Sequence, residues 1–169
     1  MDQRELKEFL DEKVVLYNNP SFIESDPIQI PHLFSKKEDI EISGFLTAII
    51  SWGNRKMIIR NALKMMELLD NAPYDFIINH QESDLKPFKN FVHRTFNSED
   101  LYQFIKSLEH LYKKHQGLEK TLAIIGEKTT YIEAIHNLKK IFFEIPHLQR
   151  TKKHLSDPLK NSAAKRINM

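Results

Sequence analysis

The chain has 169 residues, 41% hydrophobic and 28% charged, which is long enough to bury a core and too apolar to be disordered. With no cysteine it excludes disulfides and Cys-based zinc or iron–sulfur centres. Its net charge of +2 is unevenly spread, because after residue 146 six basic side chains (Arg150, Lys152, Lys153, Lys160, Lys165, Arg166) face Asp157 alone, a local +5 that leaves −3 on the rest.

Such a basic tail suggests an anionic partner, nucleic acid above all, with a solvated polar tail as the plainer reading. The charged opening “MDQRELKEFLDEK” is not a signal peptide, and the longest apolar run, “GFLTAII”, cannot span a bilayer. A cytoplasmic protein without a membrane partner is expected. Four glycines and seven prolines leave little room for the turns of a sandwich or barrel, which favours helices.

In chain order, Leu6, Phe9, Leu10, Val14 and Tyr17 give residues 3–18 a helical apolar face, and “NNPSF” stops it. “ESDPIQIPHLF” is a turn-rich connector. Ser35 opens “SKKE”, an S-x-x-E capping box, before the apolar run Ile40 to Trp52, which predicts a central buried helix. Gly53 breaks that run and Asn54 caps a helix over 55–70, with Ile58, Ile59, Leu63, Met66 and Leu69 inward. Pro73 starts a short helix, and “HQESDLKPFKNFVHRTF” is irregular. Residues 98–115 carry the clearest amphipathic stripe, Leu101, Phe104, Ile105, Leu108, Leu111 and Tyr112, capped by Ser98 and ended by Gly117. A shorter helix is predicted through “LEKTLAIIG” and another over 130–145, stopped by Pro146. Ser156-Asp157-Pro158 predicts a turn, and Asn161 or Ser162 would cap a terminal helix through Ala163, Ala164, Lys165, Arg166 and Ile167. The expected fold is all-α, with short orthogonal helices and no coiled coil, since no heptad survives the breakers.

No metal site or cofactor is expected. No H-E-x-x-H occurs, and His110 with His115 is an i,i+5 pair that should splay across its helix. The acids Glu38, Asp39 and Glu41 suit a helix start. There is no G-x-S-x-G, Walker loop or dinucleotide fingerprint. Three basic segments remain. “NRKMIIRNALK” places Lys56, Arg60 and Lys64 in one helical row beside Arg55. “KPFKNFVHRTF” interleaves four basic residues with three phenylalanines, and “HLQRTKKHL” adds Arg150, Lys152 and Lys153. Cations beside aromatics suit phosphate contact and base stacking; in the plainer reading the phenylalanines are core and the cations merely solvated.

“DPIQIPHLFSKKEDIEISGFLTAIISWGNRKMIIRNA”, “FVHRTFN” and “RTKKHLSDPLKNSAAKRINM” resemble an uncharacterised bacterial family of helical proteins, a domain of unknown function, over nearly the whole chain. That family is distantly similar to the helix-hairpin-helix DNA glycosylases, nearest the archaeal 8-oxoguanine enzymes. The resemblance implies an orthogonal multi-helix domain in which an apolar helix, a polar turn and a second helix flank a lesion pocket. “GFLTAIISWGNRKMIIRNALKMM” has that form, with Ser51, Trp52, Gly53 and Asn54 at the turn. It also implies a catalytic role for Lys165, which falls where a bifunctional glycosylase keeps its Schiff-base lysine. Ser51, Trp52, Asn54, Arg55, Lys56, Arg60, Lys152 and Lys153 are the expected contacts to double-stranded DNA.

Members of that family continue past the position of Met169, with the rest of the terminal helix and an Asp-bearing segment for the catalytic carboxylate. The chain is therefore expected to be one helical domain, 1–169, incomplete at its C-terminus and inert by itself. The alternative is a non-catalytic helical module that binds nucleic acid or a protein.

Overall fold

The computed structural model describes residues 1–123 and 130–168, and these form an all-α fold, as the periodicity predicts. Asp2 caps helix α1 (Gln3–Tyr17): its carboxylate accepts from the backbone of Arg4 and Glu5, and Glu5 reaches back to Asp2. Local capping makes this helix; tertiary burial does not. Leu6, Phe9, Leu10, Val14 and Tyr17, expected to face a core, are 41–56% exposed.

A one-turn helix α2 (Pro20–Ile23) and two proline-led 3-10 turns, Pro27–Gln29 and Pro31–Leu33, form the connector. Helix α3 (Lys37–Ile50) then runs through the core, with Ile42, Leu46, Ile49 and Ile50 buried. The capping box expected at Ser35 is absent: the helix starts after Lys36, with no side-chain cap. Its acids are used laterally instead. Asp39 accepts from the Tyr74 backbone N–H at 2.8 Å, and Glu41 accepts from the Tyr112 hydroxyl at 2.7 Å. Both bonds pin α3 to helices that follow.

Asn54 caps α4 (Arg55–Leu68) by accepting from Met57 N, as its sequence position predicts. Ile58, Ala62, Met65 and Met66 face inward, whereas Leu63 is turned out. Helix α5 (Pro73–Asn79) and a 3-10 stretch, Glu82–Asn90, lead to a small antiparallel hairpin, β1 (Val92–His93) and β2 (Phe96–Asn97). Asn97, rather than Ser98, caps α6 (Ser98–His115) in a reciprocal box with Asp100.

Leu101, Phe104, Ile105, Leu108 and Leu111 are fully buried along α6, so the predicted stripe is the inner face. The Phe104 ring lies 4.8 Å from Phe142, 5.3 Å from Phe96 and 6.1 Å from Phe45. Gln116, in the left-handed region, ends α6 and turns the chain into α7 (Gly117–Leu122). The helix predicted through “LEKTLAIIG” begins here, and its end, from Ile124 to Gly126, lies outside the described residues. Helix α8 (Tyr131–Phe142) completes the packing around Phe142.

The expected terminal helix does not form. Asp157 caps a 3-10 turn, Pro158–Lys160, after which Asn161 and Ala164 take positive φ. Left-handed backbone at Ala164 is incompatible with a helix through it, and the residues around it instead pack on the fold. Ala164 is buried, Ile167 packs against the core, and Arg166 donates to the Ile49 carbonyl at 2.7 Å.

Candidate functional site

Six of the expected contacts, Ser51, Trp52, Asn54, Arg55, Lys56 and Arg60, lie at the α3–α4 junction and along α4. Ser51 and Trp52 leave α3, and Gly53 adopts φ +106°, a conformation that L side chains rarely tolerate. A Cβ at Gly53 would also collide with the Arg94 guanidinium, which sits 4.4 Å from the centre of the Trp52 ring. This is a cation–π pair at the end of the only tryptophan in the chain. The Trp52 indole N–H is buried without a hydrogen-bond partner among the described residues, which proteins rarely leave so.

Arg94 reaches this place because it occupies the hairpin turn at φ 56°. In the sequence it is one cation of a basic and aromatic segment, and nothing local marks it as Trp52's partner. The three phenylalanines interleaved with that segment, Phe88, Phe91 and Phe96, are buried and belong to the core. They are not available to stack on bases.

Behind the stack, His93 is buried. Its Nδ1 accepts from the Asn61 amide at 2.8 Å, which leaves the proton on Nε2, 3.5 Å from the Trp52 carbonyl. Burial pushes the His93 pKa below the ordinary imidazole value, and the Arg94 charge acts in the same direction. The folded ring is therefore neutral, while an unfolded one takes up a proton as pH falls through about 6.5. Stability from this group is present above that pH and lost below it. The urea midpoint should fall between pH 7.5 and pH 5.5, values that straddle the ordinary imidazole pKa of about 6.5, and fall less in His93→Gln. Equal slopes in variant and wild type would mean that His93 does not stay neutral. Burial shifts His154 the same way, so the variant should keep part of the dependence.

From the Asn54 cap, Lys56, Arg60 and Lys64 follow one another along α4, all exposed and without an ion pair among the described residues. They border a shallow groove with Ile59 and Leu63, which Glu24 and Glu67 also line. Arg55 is engaged: Asp26 is 3.6 Å away and the Phe22 ring 5.6 Å.

The other expected residues are placed elsewhere. Lys152 and Lys153 lie on the 3-10 turn Gln149–His154, and no hydrogen bond or ion pair among the described residues joins them to the junction. Arg150, beside them, is fully occupied by Asp100, Glu99, Asn97 and the Thr95 carbonyl. Lys165 is exposed in a turn rather than on a helix. Its neighbour Arg166, anchored to Ile49 at the end of α3, approaches the junction.

Ser51 and Arg166 also edge an apolar cleft of about 740 Å³, walled by Phe22, Pro31, Phe45, Leu118, Leu122 and Ile167. Thr47 lines it, with a buried hydroxyl lacking a partner among the described residues. A few polar atoms in an apolar wall are the usual makeup of a pocket for a small molecule or an apolar side chain.

The histidine pair expected to splay does the opposite. Nε2 of His110 and Nε2 of His115 lie 3.0 and 3.2 Å from the same Glu144 oxygen. The hydrogen bond from His110, chiefly, holds the Glu144 carboxyl below its ordinary pKa.

Among the described residues no helix is long and apolar enough to cross a membrane. Residues 26–169 match the family described as “Protein of unknown function (DUF2400)”. No curated protein and no solved structure matches the chain.

Proposed function

The chain belongs to the DUF2400 family of unknown function, and we propose that it binds double-stranded DNA without catalysis, through the α3–α4 junction and the exposed face of α4. The row of exposed cations Lys56, Arg60 and Lys64, starting at a capped helix N-terminus beside the Trp52–Arg94 stack, supports this. Backbone N–H groups and the helix dipole at that end favour a phosphate, and the cations extend the contact along a backbone. Lys152 and Lys153 would add contacts on a second surface. The cytoplasm is the proposed location, and residues 1–169 are proposed to act as one unit.

A Schiff-base role for Lys165 is not part of this proposal. An amine nucleophile is activated by burial or by neighbouring cations, and an exposed turn offers no burial.

Fluorescence anisotropy of a labelled duplex, titrated across a range of salt, tests the proposal. Each phosphate contact contributes about 0.9 to the log–log salt slope, so replacing Lys56 and Arg60 by glutamine should lower it by about 2. An unchanged slope, with circular dichroism confirming the fold, would remove this face from the interface. A second reading, an apolar peptide partner, is favoured by the cleft edged by Ser51 and Arg166. Salt-insensitive binding that Phe45→Ala abolishes would point there.

A further inference from the structure

We propose that His110, His115 and Glu144 form a binding site for a divalent transition-metal ion, zinc by its donor chemistry. One ligand atom from each residue lies within 4.8 Å of the other two. The two resolved edges, 3.0 and 3.2 Å from the imidazole Nε2 atoms to Glu144 Oε2, are close to what zinc requires. With zinc–ligand bonds of about 2.0–2.1 Å, neighbouring ligands of a tetrahedral ion sit about 3.3 Å apart. An ion could therefore enter with small rotations of the side chains and no movement of the backbone.

The fold brings these three groups together where spacing alone would part them. His115 is the last helical residue of α6, and α8 packs on α6 through Phe142 and Phe104. Two residues beyond the end of α8, Glu144 presents its carboxylate to both rings. A cation there also faces the C-terminal, negative end of an 18-residue helix.

Side-chain exposures of 22, 30 and 42% leave the site open enough for an ion to enter. Without metal, each Nε2–H donates to the carboxylate. With metal, each ring releases its Nε2 proton to water, carries its proton on Nδ1 instead and gives its Nε2 lone pair to the ion. Two imidazoles and one carboxylate leave the fourth zinc position to water. The ion would then clamp the end of α6 to the chain leaving α8. This site is independent of the DNA-binding reading.

Chelator-treated full-length protein, titrated with Zn²⁺ by calorimetry and with Co²⁺ by visible absorption, gives the test. One ion per chain should bind with Kd on the order of 10 μM or tighter, with the strong d–d bands of four-coordinate cobalt and a raised thermal midpoint. His110→Ala and Glu144→Gln should each weaken binding at least about tenfold. Glutamine preserves shape at an exposed position, so that variant remains informative if His110→Ala unfolds. His136→Ala, at the partly buried His136–Asp157 pair, should leave affinity unchanged. Absence of saturable binding, or equal affinity in Glu144→Gln and wild type, would overturn the site.

Discussion

Replacing Phe104 by alanine will cost about 3–5 kcal/mol of unfolding free energy, the largest single loss expected for this protein. The ring is fully buried, and it is the common neighbour of Phe45 on α3, Phe96 on β2 and Phe142 on α8. Truncation removes two edge-on contacts and one stacked contact at once and leaves a void that α3, α8 and the hairpin cannot close together. Leu108, one turn further along α6 and also fully buried, should lose about 2–5 kcal/mol on the same truncation. Urea unfolding followed by circular dichroism measures both. If neither variant differs from wild type, α6 does not form the centre of the core.

Asp100→Ala should destabilise by about 2–4 kcal/mol, close behind, though no apolar surface is lost. This carboxylate is completely buried. It accepts from the Asn97 backbone N–H at 3.1 Å and the Thr151 hydroxyl at 2.9 Å, and Arg150 lies 3.1 Å away. His154 Nε2 is 3.2 Å distant but not aligned to donate, and burial lowers the pKa of its ring, so it is a neutral neighbour rather than an ionic partner. Removing the carboxylate breaks one half of the α6 capping box and strands the buried Thr151 hydroxyl. Arg150 is 38% exposed, so water can take over part of its solvation and limits the loss. Asp100→Asn keeps an acceptor and should cost less than the alanine variant. If the two variants match wild type, Asp100 is not what ties the 149–154 turn to α6.

Lys56 and Arg60 matter because they stay solvated and, among the described residues, unpaired. His110 and His115 matter because packing draws them to one acceptor. Neither property follows from residue type.

What the sequence by itself determined is local. Helix-period stripes at 98–115 and 40–52, the Asn54 cap, the Pro73 start and the proline-led connector were readable because they depend on neighbours within a turn or two. That also covers the junction carrying Ser51, Trp52, Asn54, Arg55, Lys56 and Arg60, which is one continuous stretch of chain. Even there, caps slipped by a residue. Lys36 stands at the N-cap of α3 in place of Ser35, and Asn97, not Ser98, forms the reciprocal box with Asp100.

Only the tertiary structure decided which apolar stripes would be covered. The stripe of α1 has the right spacing and no partner among the described residues, and so stays exposed. It also decided the fate of the chain end, where docking Ala164, Arg166 and Ile167 onto α3 and the core outweighs helix propensity in a segment of about two turns. The Trp52–Arg94 stack, the His93–Asn61 pair and the His110–His115–Glu144 cluster join residues 29 to 42 positions apart. Their geometry is set by how α3, α4, α6, α8 and the hairpin pack, and hydrophobic periodicity carries no record of it.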